Sequence, residues 1–168
     1  MIDYSKYKRV FTFGCSFTNY MFPTWADIMA KEMSHCEFHN LGTSGSGNLL
    51  ISNRIAQANC QFNFCETDLV MIMFTTAYRE DRYIDGQWIT KGNVYSQDYY
   101  DSNFVKKYCD PDYYILRDLG IIQLVKGYMK NLPCNTIYMS IGGLMFESPQ
   151  LKPKHHPATL SFNARMKQ

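Results

Sequence analysis

The residues at 9–13 are, after Arg9, all β-branched or aromatic, Gly14 ends the run, and Ser16 follows two positions later. Such a run reads as a buried strand. The Ser16 hydroxyl then falls at the carboxyl edge of a sheet, where open α/β folds place their ligands. Gly14 lets the chain bend sharply, and a serine at such a bend suits nucleophilic attack with backbone N–H groups around it. The competing reading is an ordinary strand-to-helix turn in which Ser16 bonds only backbone. A second loop, Gly42-Thr43-Ser44-Gly45-Ser46-Gly47-Asn48, calls for tight turning or close backbone approach to a ligand. It has neither the Gly-Lys-Ser/Thr ending of a P-loop nor the G-x-G-x-x-G pattern, so nucleotide binding has little support. A third loop, 75–82, follows the apolar run Asp68-Leu69-Val70-Met71-Ile72-Met73-Phe74.

The elements between these loops must position them. A strand over 8–13 leads to Thr24-Trp25-Ala26-Asp27, which has the shape of a capping box after Pro23. Trp25, Ile28, Met29 and Met33 share one helical face to about position 33. A strand over 36–41 delivers the glycine loop, and Leu50, Ile51, Ile55, Ala58 and Phe62 mark a second helix over 49–62. The run 68–74 is apolar on both faces, as a central parallel strand should be. From 78 to 114 the pattern breaks down into an insertion holding eight of the 13 tyrosines and Trp88, which makes it a functional candidate. Within it Asp85-Gly86 suits a two-residue hairpin turn, and the rest reads as irregular. Asp110-Pro111 opens a helix to about 132, with Ile115, Leu119, Ile122, Leu124 and Val125 to cover the sheet. A last strand over 135–141 precedes a polar tail containing His155-His156-Pro157. This order predicts one domain over 1–168, a three-layer α/β/α sandwich with a mostly parallel central sheet. All the informative loops then meet at one edge.

Composition narrows the function classes. At 46% hydrophobic and 19% charged the 168-residue chain is globular rather than disordered. A net charge of +2 with no basic run excludes a strong pull on nucleic acid or anionic membrane. The longest apolar run is far short of the ~20 residues a bilayer span needs. The first residues lack an apolar core of a signal peptide, so a cytoplasmic protein with its six cysteines reduced is expected.

Together these loops resemble the SGNH (GDSL-like) hydrolases, whose fold is flavodoxin-like. Gly14-Cys15-Ser16-Phe17-Thr18 is similar to the family's first block, which implies Ser16 as nucleophile. Asn40-Leu41-Gly42-Thr43-Ser44-Gly45 is similar to the second, which implies Gly45 N–H as an oxyanion donor beside Ser16 N–H. His156-Pro157 resembles the last block, which implies His156 as the base. The form with Gly-Cys-Ser and an Arg-Glu-Asp after the third strand most resembles members encoded by tailed phages. Cys15 stands where the first block usually has Asp. The third block's Asn is absent, Ala77 and Tyr78 occupying that place, and the last block's Asp falls on Pro153.

Other readings are open at several positions. Cys15 at the turn suits a small buried side chain better than a thiol nucleophile. His35-Cys36-x-x-His39 has a faint metal-ligand look, but strand alternation sends His35 and Cys36 to opposite faces, so no metal site is expected. Cys60 and Cys65 read as packing. Gly45 could simply serve a helix entry capped by Ser46 or Asn48. Arg79-Glu80-Asp81-Arg82 reads as a mixed-charge turn, with Arg79 within reach of substrate. To replace the missing Asn, Thr76 is the expected donor, ahead of Thr75 and Arg79, because a hydroxyl donates without adding charge. Tyr78, Tyr83 and Trp88 are expected to form a substrate wall. The leading expectation is a cofactor-free serine esterase or deacetylase for a small acyl ester, such as an acetylated carbohydrate. The alternative is a non-catalytic module on the same fold that binds a glycan or a protein partner.

Overall fold

A computed structural model describes residues 3–96 and 100–141. Strands β1 (Arg9–Phe13), β2 (Glu37–Asn40), β3 (Asp68–Phe74) and β6 (Asn135–Ser140) form a sheet in the order β2-β1-β3-β6. All three pairings are parallel. The chain therefore enters β1 at the middle, steps to one side for β2, and returns for β3. That leaves a crevice at the β1/β3 carboxyl ends, the switch point at which doubly wound sheets bind ligands.

The sheet is covered on both faces, as a buried parallel sheet must be. On one face Phe11, Phe13, Val70, Ile72 and Phe74 meet Ile51, Ile55 and Ala58 of α2 (Asn48–Phe62) and Ile122, Val125 and Met129 of α4 (Pro111–Lys130). On the other, Val10, Leu69 and Met71 meet Met33, with Trp25 and Met29 of α1 (Trp25–Glu32). The alternation of β1 and β3 sends successive side chains to opposite layers, which is why the run 68–74 has no polar face. The architecture is thus α/β/α in three layers.

Several expectations need correcting. Leu124 and Ile28 are exposed rather than covering the sheet, because Tyr114, Asp118, Leu119, Ile122, Val125 and Met129 make the inner stripe of α4 and Ala26 the buried contact of α1. The charged run after β3 is not a turn. It is β4 (Arg79–Ile84), paired antiparallel with β5 (Gln87–Asn93) through Asp85 and Gly86 at φ 50° and 80°, the geometry of a type I′ hairpin. The stretch read as irregular contains a short helix, α3 (Ser102–Tyr108), started by Asp101, whose carboxylate accepts from Asn103 N and Phe104 N. Cys60 is exposed rather than packed. His39 stacks on Phe11 at 4.7 Å and sits 3.0 Å from Glu37. No described helix is long and apolar enough to cross a membrane.

The edge opposite the informative loops is pinned by charge. Arg9 on β1 faces its register partner Asp68 on β3, donating from Nε at 2.8 Å and Nη2 at 2.7 Å. Burial alone would raise the Asp68 carboxyl, but the Arg9 fork and Cys65 N–H outweigh it and hold it below its ordinary 3.8. Because the folded value is the lower one, this stabilisation is complete above the ordinary value and is lost as pH falls through the folded value. Asp68→Asn should cost about 3 kcal/mol at pH 7, since it leaves a part-buried guanidinium without its counter-ion. Urea unfolding at pH 7 and again well below 3.8 should show the gap shrinking in acid, and a constant gap would rule the ion pair out as its source.

Candidate active site

The first loop leaves β1 as a tight turn in which Thr18 N and Asn19 N both donate to Cys15 O, at 2.9 and 3.1 Å. Cys15 points inward and is fully buried. Ser16 is half-buried, and neither its hydroxyl nor its N–H bonds any described residue. Thr18 anchors the loop from below. Its carbonyl accepts from Asn40 Nδ2 at 2.9 Å and from Thr24 Oγ1 at 2.8 Å, and its hydroxyl receives Trp25 Nε1 at 3.2 Å. Asp27 Oδ2 accepts from Thr24 N at 2.7 Å, the expected capping-box contact, and that bond lowers the Asp27 carboxyl.

The glycine loop is laid against the first. Thr43 N donates to Gly14 O at 2.9 Å, and Ser46 Oγ sits 2.8 Å from Thr43 O and 3.1 Å from Gly14 O. Gly45 has φ +78°, and a Cβ there would come within 2.5 Å of the Thr90 carbonyl oxygen on β5. Both facts demand glycine, and the Gly45 N–H is unpaired among the described residues.

Neither Ser46 nor Asn48 caps α2. The cap comes from β4: Asp81 Oδ1 accepts from Gly47 N at 2.7 Å and Oδ2 from Leu50 N at 2.8 Å. Burial pushes the Asp81 carboxyl up, and those two N–H groups with Arg117 and Arg79 pull against it. Asn48 instead clasps the end of β3, accepting from Thr75 N at 2.9 Å and donating to Thr75 O at 3.1 Å and Asp118 Oδ2 at 2.9 Å. Arg117 continues the chain, donating to Asp118 Oδ1 at 2.8 Å and to Arg79 O at 2.7 Å.

These supports enclose a cleft of about 490 Å³ lined by Ser16, Phe17, Tyr20, Phe22, Ser44, Gly45, Arg79, Lys91, Gly92, Asn93 and Ser96, a size ordinary for small-molecule sites. Ser16, Gly45 and Arg79 are thus brought together. Thr76 is exposed and lies outside the cleft. Asn93, not anticipated from the sequence, lines it. Its Oδ1 accepts from Tyr95 N at 2.9 Å, which leaves the amide NH₂ as a donor. His156 lies outside the described residues.

The aromatic wall is made by other residues than those expected. Phe17, Tyr20 and Phe22 of the β1–α1 loop supply it, with the Tyr20 and Phe22 rings 4.8 Å apart. Their clustering around Tyr20-Met21-Phe22-Pro23 in a loop was the available signal, since apolar side chains without periodicity have no core to fill. Tyr78 and Tyr95 rings meet at 5.6 Å, and Tyr114 packs on both while its hydroxyl donates to Glu80 Oε2 at 2.7 Å. Burial pushes the Tyr95 phenol up to about 12. Tyr83 and Trp88 pair across the hairpin near its turn, rings 5.5 Å apart, and do not reach the cleft. No group of three metal-ligating side chains occurs among the described residues.

Removing the Asp81 carboxylate strands two buried N–H groups at the start of α2. Asp81→Ala should therefore cost about 1–3 kcal/mol, read as a lower urea midpoint with an unchanged slope. A variant as stable as the parent would show that water replaces the cap without loss.

No protein-family model matches the chain, and no curated protein matches it. A solved structure of a member of the lipolytic protein G-D-S-L family from Veillonella parvula is similar, at 16% identity and a TM-score of 0.44. The match covers 78% of this chain and 57% of that one, so the chain spans little more than half of its length.

Proposed function

We propose that the protein is a serine esterase acting on a small acyl ester, such as an O-acetylated sugar. The observation that carries this reading is Ser16 at the end of β1, its hydroxyl and N–H both unengaged among the described residues, sharing a cleft with the Gly45 N–H, which is likewise unpaired among them. Acyl transfer needs a nucleophile and convergent backbone donors at one point. Ser16 Oγ attacks the carbonyl carbon, and its proton passes to a base. The ester C–O bond breaks, and the leaving alkoxide takes that proton as alcohol. Water then repeats the sequence on the acyl-serine and releases the acid. The N–H groups of Ser16 and Gly45 and the Asn93 amide hold the oxyanion, so Asn93 takes the part expected of Thr76. His156 is the base this reading requires.

The second reading, a binding module for a glycan or protein, is favoured by one fact. No His, Asp or Glu lines the cleft among the described residues. A fluorophosphonate separates the two. It should label the parent at Ser16 and fail to label Ser16→Ala. His156→Ala should slow hydrolysis of an activated acetyl ester by about 100-fold or more, the usual worth of a positioned general base. Absence of labelling and of turnover above buffer would leave the binding module standing.

A further inference from the structure

The cleft carries an uneven charge that acyl transfer itself does not use. Arg79 and Lys91 both line it, and no carboxylate does among the described residues. Neither cation forms an ion pair with a described residue. Arg79 commits only Nη1, to Ser46 O at 3.2 Å, while its Nε is buried without a described partner. Asp81, whose carboxyl Arg79 helps to pull down, has both oxygens bonded by Gly47 N and Leu50 N. Arg79 is also fixed in place, because Arg117 holds its carbonyl and Gly47 packs beneath its Cβ. It is therefore a pre-positioned cation whose Nη2 is uncommitted among the described residues, joined by Lys91 on β5.

We infer that the cleft selects acyl esters carrying a carboxylate, an inference that rests on the esterase reading above. A guanidinium presents paired donors in a plane that matches the two oxygens of a carboxylate. Lys91 adds a mobile point charge at the exposed rim, where it raises the local concentration of anions. Phe17, Tyr20 and Phe22 offer the ring or apolar part of the same molecule a surface. An acylated acidic sugar or an acyloxy acid has both features, while a neutral acetyl ester meets only the second.

The test uses two aryl acetates that differ by one charge, 4-acetoxybenzoate and its methyl ester, each rate divided by its uncatalysed hydrolysis. The anion should have the higher kcat/KM by about tenfold, the worth of one charge-assisted contact. That ratio should fall toward one in Arg79→Gln, in Lys91→Gln and at high salt. Lys91 is exposed, so Lys91→Gln informs even where Arg79→Gln disturbs the loop. A ratio of one or below in the parent, or a ratio untouched by Lys91→Gln, overturns the inference. If neither ester is turned over and no fluorophosphonate label appears, the esterase reading has failed. Titration calorimetry with the same two compounds then decides the selection separately: tighter binding of the anion, weakened by Lys91→Gln, upholds it, and equal binding overturns it.

Discussion

One carboxylate holds the working edge of this molecule together. Asp81 reaches from β4 to the first turn of α2 and takes the N–H groups of Gly47 and Leu50. A helix start carries partial positive charge and unpaired donors, so a carboxylate there satisfies both at once. Few local cap residues can do more, because this one also ties two distant parts of the chain. Gly45 lies two residues before one partner, and Arg79 lies two residues before Asp81 itself. The glycine loop and the cationic wall are thus tied to each other by a side chain whose burial discourages its charge and whose partners favour it, beside the direct bond from Arg79 Nη1 to Ser46 O.

The tyrosine-rich insertion is organised by the same logic. Tyr114 donates to Glu80, Arg117 reaches Glu80 at 3.4 Å and Asp118 at 2.8 Å, and Asp118 meets Asn48, which closes on Thr75. A chain of polar groups runs from α4 through the hairpin to the ends of α2 and β3. Such a network is costly when half satisfied and rigid when complete. Burial and the Glu80 bond push the Tyr114 phenol upward. The aromatic rings pack around this network and brace the hairpin.

The fold was legible where apolar patterning decides it. The run 68–74 reads as a central strand because both of its faces are buried, and Asp85-Gly86 reads as a hairpin because positive φ at both positions favours those residues. Gly14, Ser16 and the glycine loop were legible for the same reason: small residues after strands leave few other structures. What escaped was long-range. Asp81 sits in an alternating charge run that looks solvated, and its partners are 31 and 34 residues away. Helix α3 buries no residue, so it leaves no periodic trace, and only its Asp101 cap betrays it. Leu124 was misassigned because an apolar residue near an amphipathic stripe is indistinguishable from a member of it until the partner surface is known.

The close approach of Thr90 to Gly45 carries an evolutionary consequence. At φ +78° alone, asparagine would be an acceptable replacement for glycine. The Thr90 carbonyl bars even that, so the identity of position 45 is written partly by a hairpin 45 residues downstream. Descendants that shortened or lost the hairpin would be released from glycine at this point, and those that kept it would not. Glycine at position 45 should therefore be kept wherever the hairpin is kept.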